Sequence, residues 1–471
     1  MQYHKELTKF NSIKISVMKK SSLRLFGAAF MLAICTNAGA QGVISTLAGT
    51  GLSGFSGDGG PANLARFSGP AAVATDASGN VYVADKNNHR VRKIDAATGN
   101  ISTVVGTGAY GYSGMGGDAA LATIKNPSAL YFDNLGNLFV CDNFNDIVFK
   151  VDAGTHAIHN HCGEGHQGNT GDGGDANLAR TCIPDGVGGD NSGNIYVLDI
   201  GNHRIRKVNS SNIVSTFAGT FIGPYANPVP VAAASFGTMS GICADNLGNL
   251  YVADGGNHIV RKIDMASGMV RTIAGTYGIG GYAGDGGAAN SALLRNPKTL
   301  FLTEEGFLFI CDPTANVVRV VNQQTGIIST LAGNGSMGFS GDGGAPNAAS
   351  LNQPTGIWED PATGKIYIAD AGNQRVRVIT GSAYKTATMG NSSTATDKVS
   401  VFPNPSNGNF TVATDAANAT MEIYNIAGEM VQSGTLTNGQ NTVSLKQPAG
   451  TYTVKVNSTS GTDVQKITIV K

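Results

Sequence analysis

The chain has 471 residues, 65 of them glycine; 14% of its residues are charged, and its formal net charge at pH 7 is zero. A chain of this length exceeds what one hydrophobic core usually serves, so several domains or a repeat array are expected. The balanced charge excludes the basic field of a nucleic-acid-binding protein, and the glycine content is typical of a turn-rich β protein.

The N-terminal region has the layout of a secretory signal peptide. A basic segment at 18–24 precedes an apolar run at 25–35, and the small residues Ala38-Gly39-Ala40 follow. This order predicts a start at Met18 and cleavage before Gln41.

Residues 1–40 are therefore expected to be absent from the mature chain. A lipoprotein signal that ends at Cys35 is the alternative, and the bulky Ile34 before that cysteine disfavours it. Removal of residues 1–40 takes away six of 32 basic residues and one of 32 acidic residues, which leaves 26 and 31. The mature chain is then mildly acidic, and we expect no nucleic-acid partner. No other apolar stretch reaches the roughly 18 residues of a membrane helix, so no transmembrane segment is expected in it.

One phrase returns six times along the chain. Its first copy is Tyr82-Val-Ala-Asp85-Lys-Asn-Asn-His89-Arg-Val-Arg-Lys-Ile-Asp95. The aspartate that corresponds to Asp85 recurs after 57, 57, 55, 58 and 58 residues, at Asp142, Asp199, Asp254, Asp312 and Asp370. A period of this size predicts one supersecondary unit used repeatedly. The basic residues of the phrase lie close in sequence to its aspartates, which favours internal pairing over a nucleic-acid surface.

Each unit reads as four antiparallel strands. In the first copy, β-branched and aromatic runs at 71–75, 81–84, 90–94 and 101–105 are separated by turn-forming segments. Four-stranded units in series predict the blades of an all-β, six-bladed β-propeller. The last unit lacks a fourth strand, and a fourth-strand copy at 43–48 precedes the first unit, so we expect 43–48 to complete the last blade and close the ring.

The repeated phrase, with its Gly-Asn turn and its Asn-His-Arg-Val-Arg-Lys segment, resembles the NHL repeat over residues 41–381. This resemblance implies a six-bladed propeller that is usually a binding platform, with some relatives that are lyases or lactonases. The units here are longer than the usual NHL repeat, and the additional residues lie in the connection from each fourth strand to the next first strand.

These connections carry a second motif, Gly-Asp-Gly-Gly, which we take as a candidate binding feature of one rim of the propeller. Met115 stands at the aspartate position in the second repeat, and a proline-rich stretch from Pro224 to Pro230 replaces the motif in the fourth. A calcium ion could bind to Asp and carbonyl oxygens there, but one carboxylate per loop favours the alternative, an aspartate that caps a turn. The candidate residues are Asp58, Asp172, Asp285 and Asp342.

Propeller enzymes place their reactive groups where the inner strands meet the central channel. Only two of the six residues that follow the first-strand proline position can ionise, Asp185 and Lys298. A lactonase-like or lyase-like centre would need several converging carboxylates or histidines, so catalysis is not the expected function. Asp185 and Lys298 are the candidate catalytic residues if the protein is an enzyme.

One fourth strand departs from its sister strands and reads Ile158-His159-Asn-His161-Cys162, with His166 shortly after. Strand alternation places His159 and His161 on one face, which could bind a transition metal. The alternative for this segment is a disulfide between Cys162 and Cys182 in an exported protein. No cofactor is firmly implied.

The C-terminal part has a different organisation. A polar linker at 382–398 precedes a region at 399–471 whose alternating runs predict a small β-sandwich of about seven strands. Phe402-Pro-Asn-Pro, Tyr424-Asn-Ile-Ala-Gly and Ala449-Gly-Thr-Tyr resemble the type A sorting domain of the Bacteroidetes type IX secretion system. The resemblance implies export to the cell surface or medium, with the secretion machinery as partner; an ordinary Ig-like adhesion module is the alternative.

The sequence thus predicts a secreted or surface-displayed propeller that binds a protein, peptide or glycan without catalysis. An extracellular lactonase or lyase acting in the channel is the second hypothesis, and a structural protein of the cell surface is the third. Propeller rims of similar sequence bind different ligand classes, so the ligand is left open.

Overall fold

The computed structural model describes residues 42–220, 223, 225–382 and 384 and, in the C-terminal region, 399–402, 406, 408–414, 419–425, 430–458 and 461–469. The predicted signal peptide with its cleavage site, the predicted start at Met18 and nearly all of the predicted linker at 382–398 lie outside these residues.

Six antiparallel sheets, which we call blades 1 to 6, follow one another within the described residues 43–380. Blade 1 has strands β2–β5, blade 2 has β6–β9, blade 3 has β10–β13, blade 4 has β14–β18, blade 5 has β19–β22, and blade 6 has β23–β25 together with β1. The strands are β1 (Val43–Ala48); β2–β5 (Pro70–Thr75, Val81–Asp85, Arg90–Ile94, Ile101–Val105); β6–β9 (Pro127–Phe132, Leu138–Asp142, Ile147–Val151, Ile158–Cys162); β10–β13 (Pro184–Gly189, Ile195–Asp199, Arg204–Val208, Val214–Ala218); β14–β18 (Val229–Pro230, Met239–Ala244, Leu250–Asp254, Ile259–Asp264, Met269–Ala274); β19–β22 (Leu300–Leu302, Phe307–Asp312, Val317–Asn322, Ile327–Ala332); and β23–β25 (Pro354–Glu359, Ile366–Asp370, Arg375–Thr380).

Short 3-10 turns of three residues connect these strands. One set follows the repeated aspartate: Lys86–Asn88, Ile200–Asn202, Gly255–Asn257, Pro313–Ala315 and Ala371–Asn373. The other set lies in the long connections: Ala62–Leu64, Ala119–Leu121, Ala176–Leu178, Val231–Ala233, Ala289–Ser291 and Pro346–Ala348.

The blades form a closed ring. The first strand of each blade contacts the first strand of the next, and β23 of blade 6 contacts β2 of blade 1. Strand β1 pairs antiparallel with β25, with Ile44 opposite Ile379 and Ser45 opposite Val378. The predicted completion of the last blade by residues 43–48 is therefore confirmed, and the propeller has no long open edge at the junction of its two ends.

An aspartate fixes the turn between the first two strands of a blade. In blade 1, Asp76 Oδ1 accepts the backbone N–H groups of Ser78 (2.9 Å) and Asn80 (3.0 Å), and Asp76 Oδ2 accepts the side-chain amide of Asn80 (2.8 Å). Gly79 has φ +78°, a conformation that glycine adopts without strain. The same side-chain bonds occur at Asp133, Asp190 and Asp245, so the Asp-x-x-Gly-Asn segment specifies this hairpin.

The glycine-rich connections cover the outer edge of the blades. In blade 1, Gly59 donates its N–H to the carbonyl of Ile101 (2.8 Å), and Ile101 donates to the carbonyl of Gly60 (2.9 Å). The equivalent bonds join the connection to the outer strand in blades 2, 3, 5 and 6, and β14 takes this place in blade 4. Exposed strand edges invite pairing with other chains, so the motif protects the rim.

The C-terminal region forms two sheets among its described residues. Its strands are β26 (Val399–Phe402), β27 (Asn409–Thr414), β28 (Ala419–Tyr424), β29 (Met430–Leu436), β30 (Gly439–Ser444), β31 (Gly450–Ser458) and β32 (Gly461–Ile469). They are ordered β26-β27-β30 and β29-β28-β31-β32 around a core that includes Phe410, Ile423 and Val454. This is the predicted β-sandwich.

Candidate functional site

The aspartate of the repeated phrase is fully buried in every copy. At Asp85, Oδ1 accepts the backbone N–H of Ser68 and Oδ2 accepts the side-chain amide of Asn88, each at 2.8 Å. Burial raises the pKa of Asp85 to about 6, although these hydrogen bonds and Arg92 lower it. The aspartate joins the loop before the first strand to the turn after the second, which is a scaffold role.

The candidate carboxylates of the rim loops are bound to buried arginines of the third strand. Arg92, fully buried, donates to Asp58 at 2.5 Å and lies 3.4 Å from Asp85. Thr103 of the outer strand donates its hydroxyl to the same Asp58 at 2.7 Å. The same ion pair joins Arg206 to Asp172, Arg319 to Asp285 and Arg377 to Asp342. These contacts favour a structural role, and a role of the four aspartates in binding stays a prediction.

Two blades depart from this pattern in a coordinated way. Blade 2 has Met115 in place of the aspartate and also Phe149 in place of the arginine, so both partners change together. In blade 4, Arg261 is kept and donates to the carbonyls of Ala226 (2.8 Å) and Ser235 (2.9 Å). Arg92 of blade 1 makes the equivalent carbonyl contacts, to Ser56 and Arg66, so Arg261 keeps the backbone contacts without the carboxylate. Asn227 takes the place of the aspartate in the contact to the outer strand, where its Oδ1 accepts the N–H of Thr272 at 2.9 Å.

The histidine position of the phrase connects neighbouring blades. His89 Nδ1 accepts the backbone N–H of Asn126 in the connection to blade 2, at 3.2 Å. The residues at this position have φ between +53° and +62° in all six blades. Side-chain oxygens at the same position accept the equivalent N–H elsewhere: Asp146 from Ile183 (2.8 Å), Asn316 from Gln353 (3.1 Å) and Gln374 from Gly69 (2.7 Å). The change from His to Asp, Asn or Gln thus preserves a contact between blades.

The central channel has an apolar lining. Each first strand contributes one buried aliphatic side chain to a cavity of about 280 Å³ in this channel: Val73, Leu130, Val187, Ile242, Leu300 and Ile357. The candidate catalytic residues Asp185 and Lys298 line the same cavity. The alignment of the first strands singled out these two ionisable residues, and the structure places them in one cavity although they come from blades 3 and 5.

Further polar groups gather beside Asp185 and Lys298, and we call this group the channel mouth. Asn143 donates its side-chain amide to Asp185 at 3.2 Å. Burial lowers the pKa of Lys86, Asp185 opposes this shift and Lys298 adds to it, so the three charges lie within electrostatic range of one another. Ser128 Oγ and Asn143 Oδ1 are buried without a hydrogen-bond partner among the described residues. Sequence reasoning missed Lys86 and Asn143, because each follows a scaffold aspartate in a turn that otherwise looks repetitive.

The histidine-bearing strand lines a groove of about 660 Å³ between blades 2 and 3. His159 and His161 both face this groove, as strand alternation predicts, and His159 lies 3.3 Å from Asp152. His166 lies beyond the strand, 3.9 Å from Glu164, because the chain turns at Gly163 (φ +105°). The described residues contain no group of three or more His, Cys, Asp or Glu side chains that could hold a metal ion. The three histidines are thus not assembled into the predicted metal site.

In the structure the thiols of Cys162 and Cys182 are both free, and the possible disulfide between them stays a prediction. Cys162 ends the outer strand of blade 2 and is fully buried, at a position where Ala218 and Ala274 stand in other blades. Cys182 packs instead against the turn of blade 3, where a Cβ placed on Gly201 would lie 2.4 Å from Cys182 Sγ. The two side chains belong to different packing environments, and burial raises the pKa of both thiols.

Family models match three parts of the chain. The NHL repeat matches residues 67–94, the Teneurin NHL domain matches residues 147–235, and the secretion system C-terminal sorting domain matches residues 400–470. Two NHL-type matches within different blades agree with the repeat that the sequence shows.

Curated relatives are similar over the propeller. Teneurin-1 of Homo sapiens is 27% identical over 368 residues, which cover 72% of this chain and 13% of the relative. NHL repeat-containing protein 2 of Bos taurus is 26% identical over 323 residues (66% and 39%), and Protein SUPPRESSOR OF QUENCHING 1, chloroplastic, of Arabidopsis thaliana is 25% identical over 323 residues (67% and 25%). The chain therefore spans 13 to 39% of these relatives' own lengths.

Solved structures share the fold. A structural genomics protein of unknown function from Bacteroides thetaiotaomicron VPI-5482 superimposes with a TM-score of 0.54 at 18% identity, covering 72% of this chain and 75% of that one. An auxiliary nutrient binding protein from Bacteroides ovatus ATCC 8483 gives a TM-score of 0.53 at 16% identity, covering 72% and 76%. At these identities the likeness concerns the fold alone.

The C-terminal match bears on where the protein acts. Residues 400–470 match the sorting domain over almost the whole predicted region at 399–471. Among the described residues, no helix has the length and hydropathy that a membrane span requires. The chain therefore carries NHL repeats in a β-propeller and a sorting domain of the type IX secretion system, which directs it to the cell surface or the extracellular space.

Proposed function

We propose that the protein is a secreted, noncatalytic binding protein whose propeller holds a small organic anion at the channel mouth. The observation that carries this proposal is the convergence of Lys86 from blade 1 and Lys298 from blade 5 on one half-buried carboxylate, Asp185 of blade 3. These residues break the six-fold repeat, whereas the ionisable groups that follow the repeat are engaged in the scaffold.

The charges at the channel mouth favour an anion. Lys86 and Lys298 contribute two positive charges and Asp185 one negative charge. The structure records no ion pair for either lysine among the described residues, and Asp185 accepts a hydrogen bond from Asn143. In a site that is partly removed from water, the remaining positive charge attracts an anionic group more strongly than it would at the surface.

The uncharged polar groups of the channel mouth further restrict the chemical class of the ligand. Ser128 and Asn143 are more than nine-tenths buried, and Ser128 Oγ and Asn143 Oδ1 have no partner among the described residues. Leaving such a polar atom unsatisfied is costly, so a ligand that carries hydroxyl groups beside its anionic group would stabilise the site. We therefore propose a hydroxylated carboxylate. The cavity of about 280 Å³ lies near the lower end of the usual range for ligand sites, which suits a small molecule.

Calorimetric titration of the purified protein with lactate, gluconate and glucuronate tests this proposal, with glucose as the uncharged comparison. We expect at least one carboxylate to bind, and we expect Lys86→Met and Lys298→Met each to weaken that binding about tenfold, as loss of a charged hydrogen-bond donor does. Lys207→Met is the matched control, because Lys207 lies on β12 outside the channel. Binding that is equal in all three variants, or absent for every carboxylate, would contradict the proposal.

The enzymatic alternative has a separate readout at the same site. Asp185 lies in the same cavity as Lys298, so a carboxylate is in place to accept a proton from an attacking water. Incubation of the protein with gluconolactone and homoserine lactones measures hydrolysis directly. Turnover that Asp185→Asn abolishes would establish an enzyme, whereas binding without turnover supports the proposed function.

A further inference from the structure

We propose that the groove between blades 2 and 3 is a second ligand site and that it takes a neutral saccharide. It is distinct from the channel mouth and does not depend on the proposed anion site. Its lining departs from the repeat at Phe139 and at His161, and each departure provides or frees a hydrogen-bonding group.

A glycine on β10 leaves room for a tyrosine that forms one wall of the groove. Gly188 and Gly189 stand where the first strands of other blades carry larger side chains, such as Phe301 and Leu302 in blade 5. Tyr131 of blade 2 extends over the vacated strand, and a Cβ on Gly189 would lie 2.6 Å from the Tyr131 hydroxyl. Gly189 therefore leaves room for the Tyr131 ring, which forms one wall of the groove.

Blade 2 also has a carboxylate, Asp133, that lacks the tyrosine partner found in other blades. In three other blades, a tyrosine hydroxyl on the second strand donates to the turn aspartate: Tyr82 to Asp76 (3.2 Å), Tyr196 to Asp190 (3.1 Å) and Tyr251 to Asp245 (3.3 Å). Blade 2 has Phe139 at this position and keeps the aspartate as Asp133, whose Oδ2 accepts the Asn137 amide (2.8 Å). Each carboxylate oxygen can accept more than one hydrogen bond, so Asp133 Oδ2 can accept another from a ligand.

The outer strand adds a half-buried imidazole with a buried ring nitrogen. His161 stands where Leu47, Val104, Phe217, Ile273 and Leu331 stand in the other blades. Its ring packs edge-on against Phe139 with centroids 4.8 Å apart, and its Nε2 has no hydrogen-bond partner among the described residues. Burial, followed by Lys150, lowers the pKa of His161 to about 4, so the ring is neutral at pH 7 and has one donor and one acceptor nitrogen.

The mixture of groups favours a saccharide over a cation. Lys150 and Asp152 pair with each other at 2.7 Å, and Asp190, a further carboxylate of the lining, already accepts hydrogen bonds from Asn194 (2.8 Å) and Tyr196 (3.1 Å). The other polar groups include the donors Tyr131 and Asn191 as well as the acceptor Asp133, and sugar hydroxyls both donate and accept. A volume of about 660 Å³ lies in the middle of the usual range for organic ligands. A neutral, polyhydroxylated ligand satisfies both kinds of group without adding charge.

Saturation-transfer NMR and calorimetry with maltotriose, cellotriose, xylotriose, mannotriose and chitotriose test the proposal on the purified protein. Phe139→Tyr restores the tyrosine that occupies Asp133 in sister blades, and His161→Leu restores the sister-blade residue; neither change introduces a residue foreign to the fold. We expect at least one trisaccharide to bind, and we expect each variant to weaken it about tenfold. Phe309→Tyr, the same chemical change in blade 5 away from the groove, is the matched control and should leave binding unchanged.

Further results separate this site from the channel mouth and decide between ligand classes. Lys298→Met should leave saccharide binding intact, and Phe139→Tyr should leave carboxylate binding intact. Binding of putrescine in preference to all five trisaccharides would overturn the saccharide assignment. Absence of trisaccharide binding, or binding that Phe139→Tyr and His161→Leu leave unchanged, would overturn the proposal.

Discussion

Individual residues of the repeated phrase are explained by what their atoms can accept or donate. His89, Asp146, Asn316 and Gln374 differ in charge and shape, yet each presents an acceptor to a backbone N–H of the next blade. A histidine fulfils this role only with an unprotonated Nδ1, because the imidazolium ion donates from both nitrogens. Burial, and then the neighbouring Arg90 and Lys125, lower the pKa of His89, which keeps the acceptor in place at neutral pH.

The hydrogen bond from the N–H of Asn126 to His89 Nδ1 can be tested by substitution of His89. His89→Ala should lower the free energy of unfolding by about 1 kcal/mol, because the N–H of Asn126 loses its partner. His89→Gln should lower the free energy of unfolding much less, because the glutamine side-chain oxygen can accept the same N–H. The unfolded chain binds the proton more readily than the native chain does, so the His89 contribution is complete above about pH 6.5 and is lost as the pH falls below that value. His89→Gln should therefore reduce the acid sensitivity of the thermal midpoint between pH 7.5 and pH 5. If His89→Gln destabilised the protein as much as His89→Ala does, this role would be wrong.

At the scale of a blade, the arginine and its aspartates behave as one unit. Blade 2 has lost both members of the pair, Met115 and Phe149 standing in their places, and Tyr112 stacks on Phe149 with ring centroids 6.1 Å apart. The buried Asp142 of this blade thus lacks an arginine, and burial raises its pKa to about 7. An apolar pair has replaced an ion pair, which is often neutral for stability when both partners change together.

A double-mutant cycle on Met115→Asp and Phe149→Arg tests this unit. We expect the two substitutions to be coupled favourably by about 0.5 to 3 kcal/mol, as contacting residues are, because the new arginine can pair with both the introduced aspartate and Asp142. Additive effects of the two substitutions would show that the pair is not an independent unit.

The same double variant should change the pH dependence of stability. Between about pH 4 and pH 7 the native wild type keeps a proton on Asp142 that the unfolded chain has lost, so stability falls as the pH rises. An arginine beside Asp142 lowers its pKa and reduces that loss. The double variant should therefore gain more thermal stability, relative to wild type, at pH 8 than at pH 5, and an equal gain at both pH values would contradict this account.

At the scale of the whole molecule, the ring depends on one strand that comes from far away in sequence. Ile44 of β1 is fully buried, whereas its neighbour Val43 is 46% exposed. Ile44 also exchanges backbone hydrogen bonds with the connection at Gly343 (2.8 Å) and Gly344 (3.1 Å). Strand β1 is therefore hydrogen-bonded on both of its edges, to β25 on one side and to the connection at 343–344 on the other.

Two neighbouring substitutions on β1 test whether the ring needs this strand to stay closed. Ile44→Asp buries an unpaired charge where blade 6 is completed, so we expect it to lower the free energy of unfolding by about 4 kcal/mol or more. Val43→Asp should have little effect, since this side chain faces solvent. Thermal unfolding followed by circular dichroism measures both. A small effect of Ile44→Asp would show that the other blades hold the ring without β1.

The fold was largely predictable because the repeat is regular, and the sites were less so because they lie where it fails. The period of the aspartates, the turn chemistry and the displaced copy at 43–48 were sufficient for the propeller and its closure. By contrast, the pairing of Asp58 with Arg92 joins residues 34 positions apart, and no local pattern indicates it. Lys86 and Lys298 are near each other only because the ring brings blades 1 and 5 to one channel, which no sequence pattern indicates. The free thiols of Cys162 and Cys182 depend on packing, and the spacing of the two cysteines does not specify that packing.

The pairing of β1 with β25 also makes ring closure depend on the two distant ends of the propeller sequence. Ile44 and Ile379 lie opposite each other but are 335 residues apart in sequence. A chain that emerges from its N-terminus therefore carries an unpaired first strand until the sixth repeat has followed it, and contacts of such long range form slowly. Ring closure therefore requires the chain through residue 380, so a propeller truncated within the sixth repeat would keep β1 and the last blade unpaired.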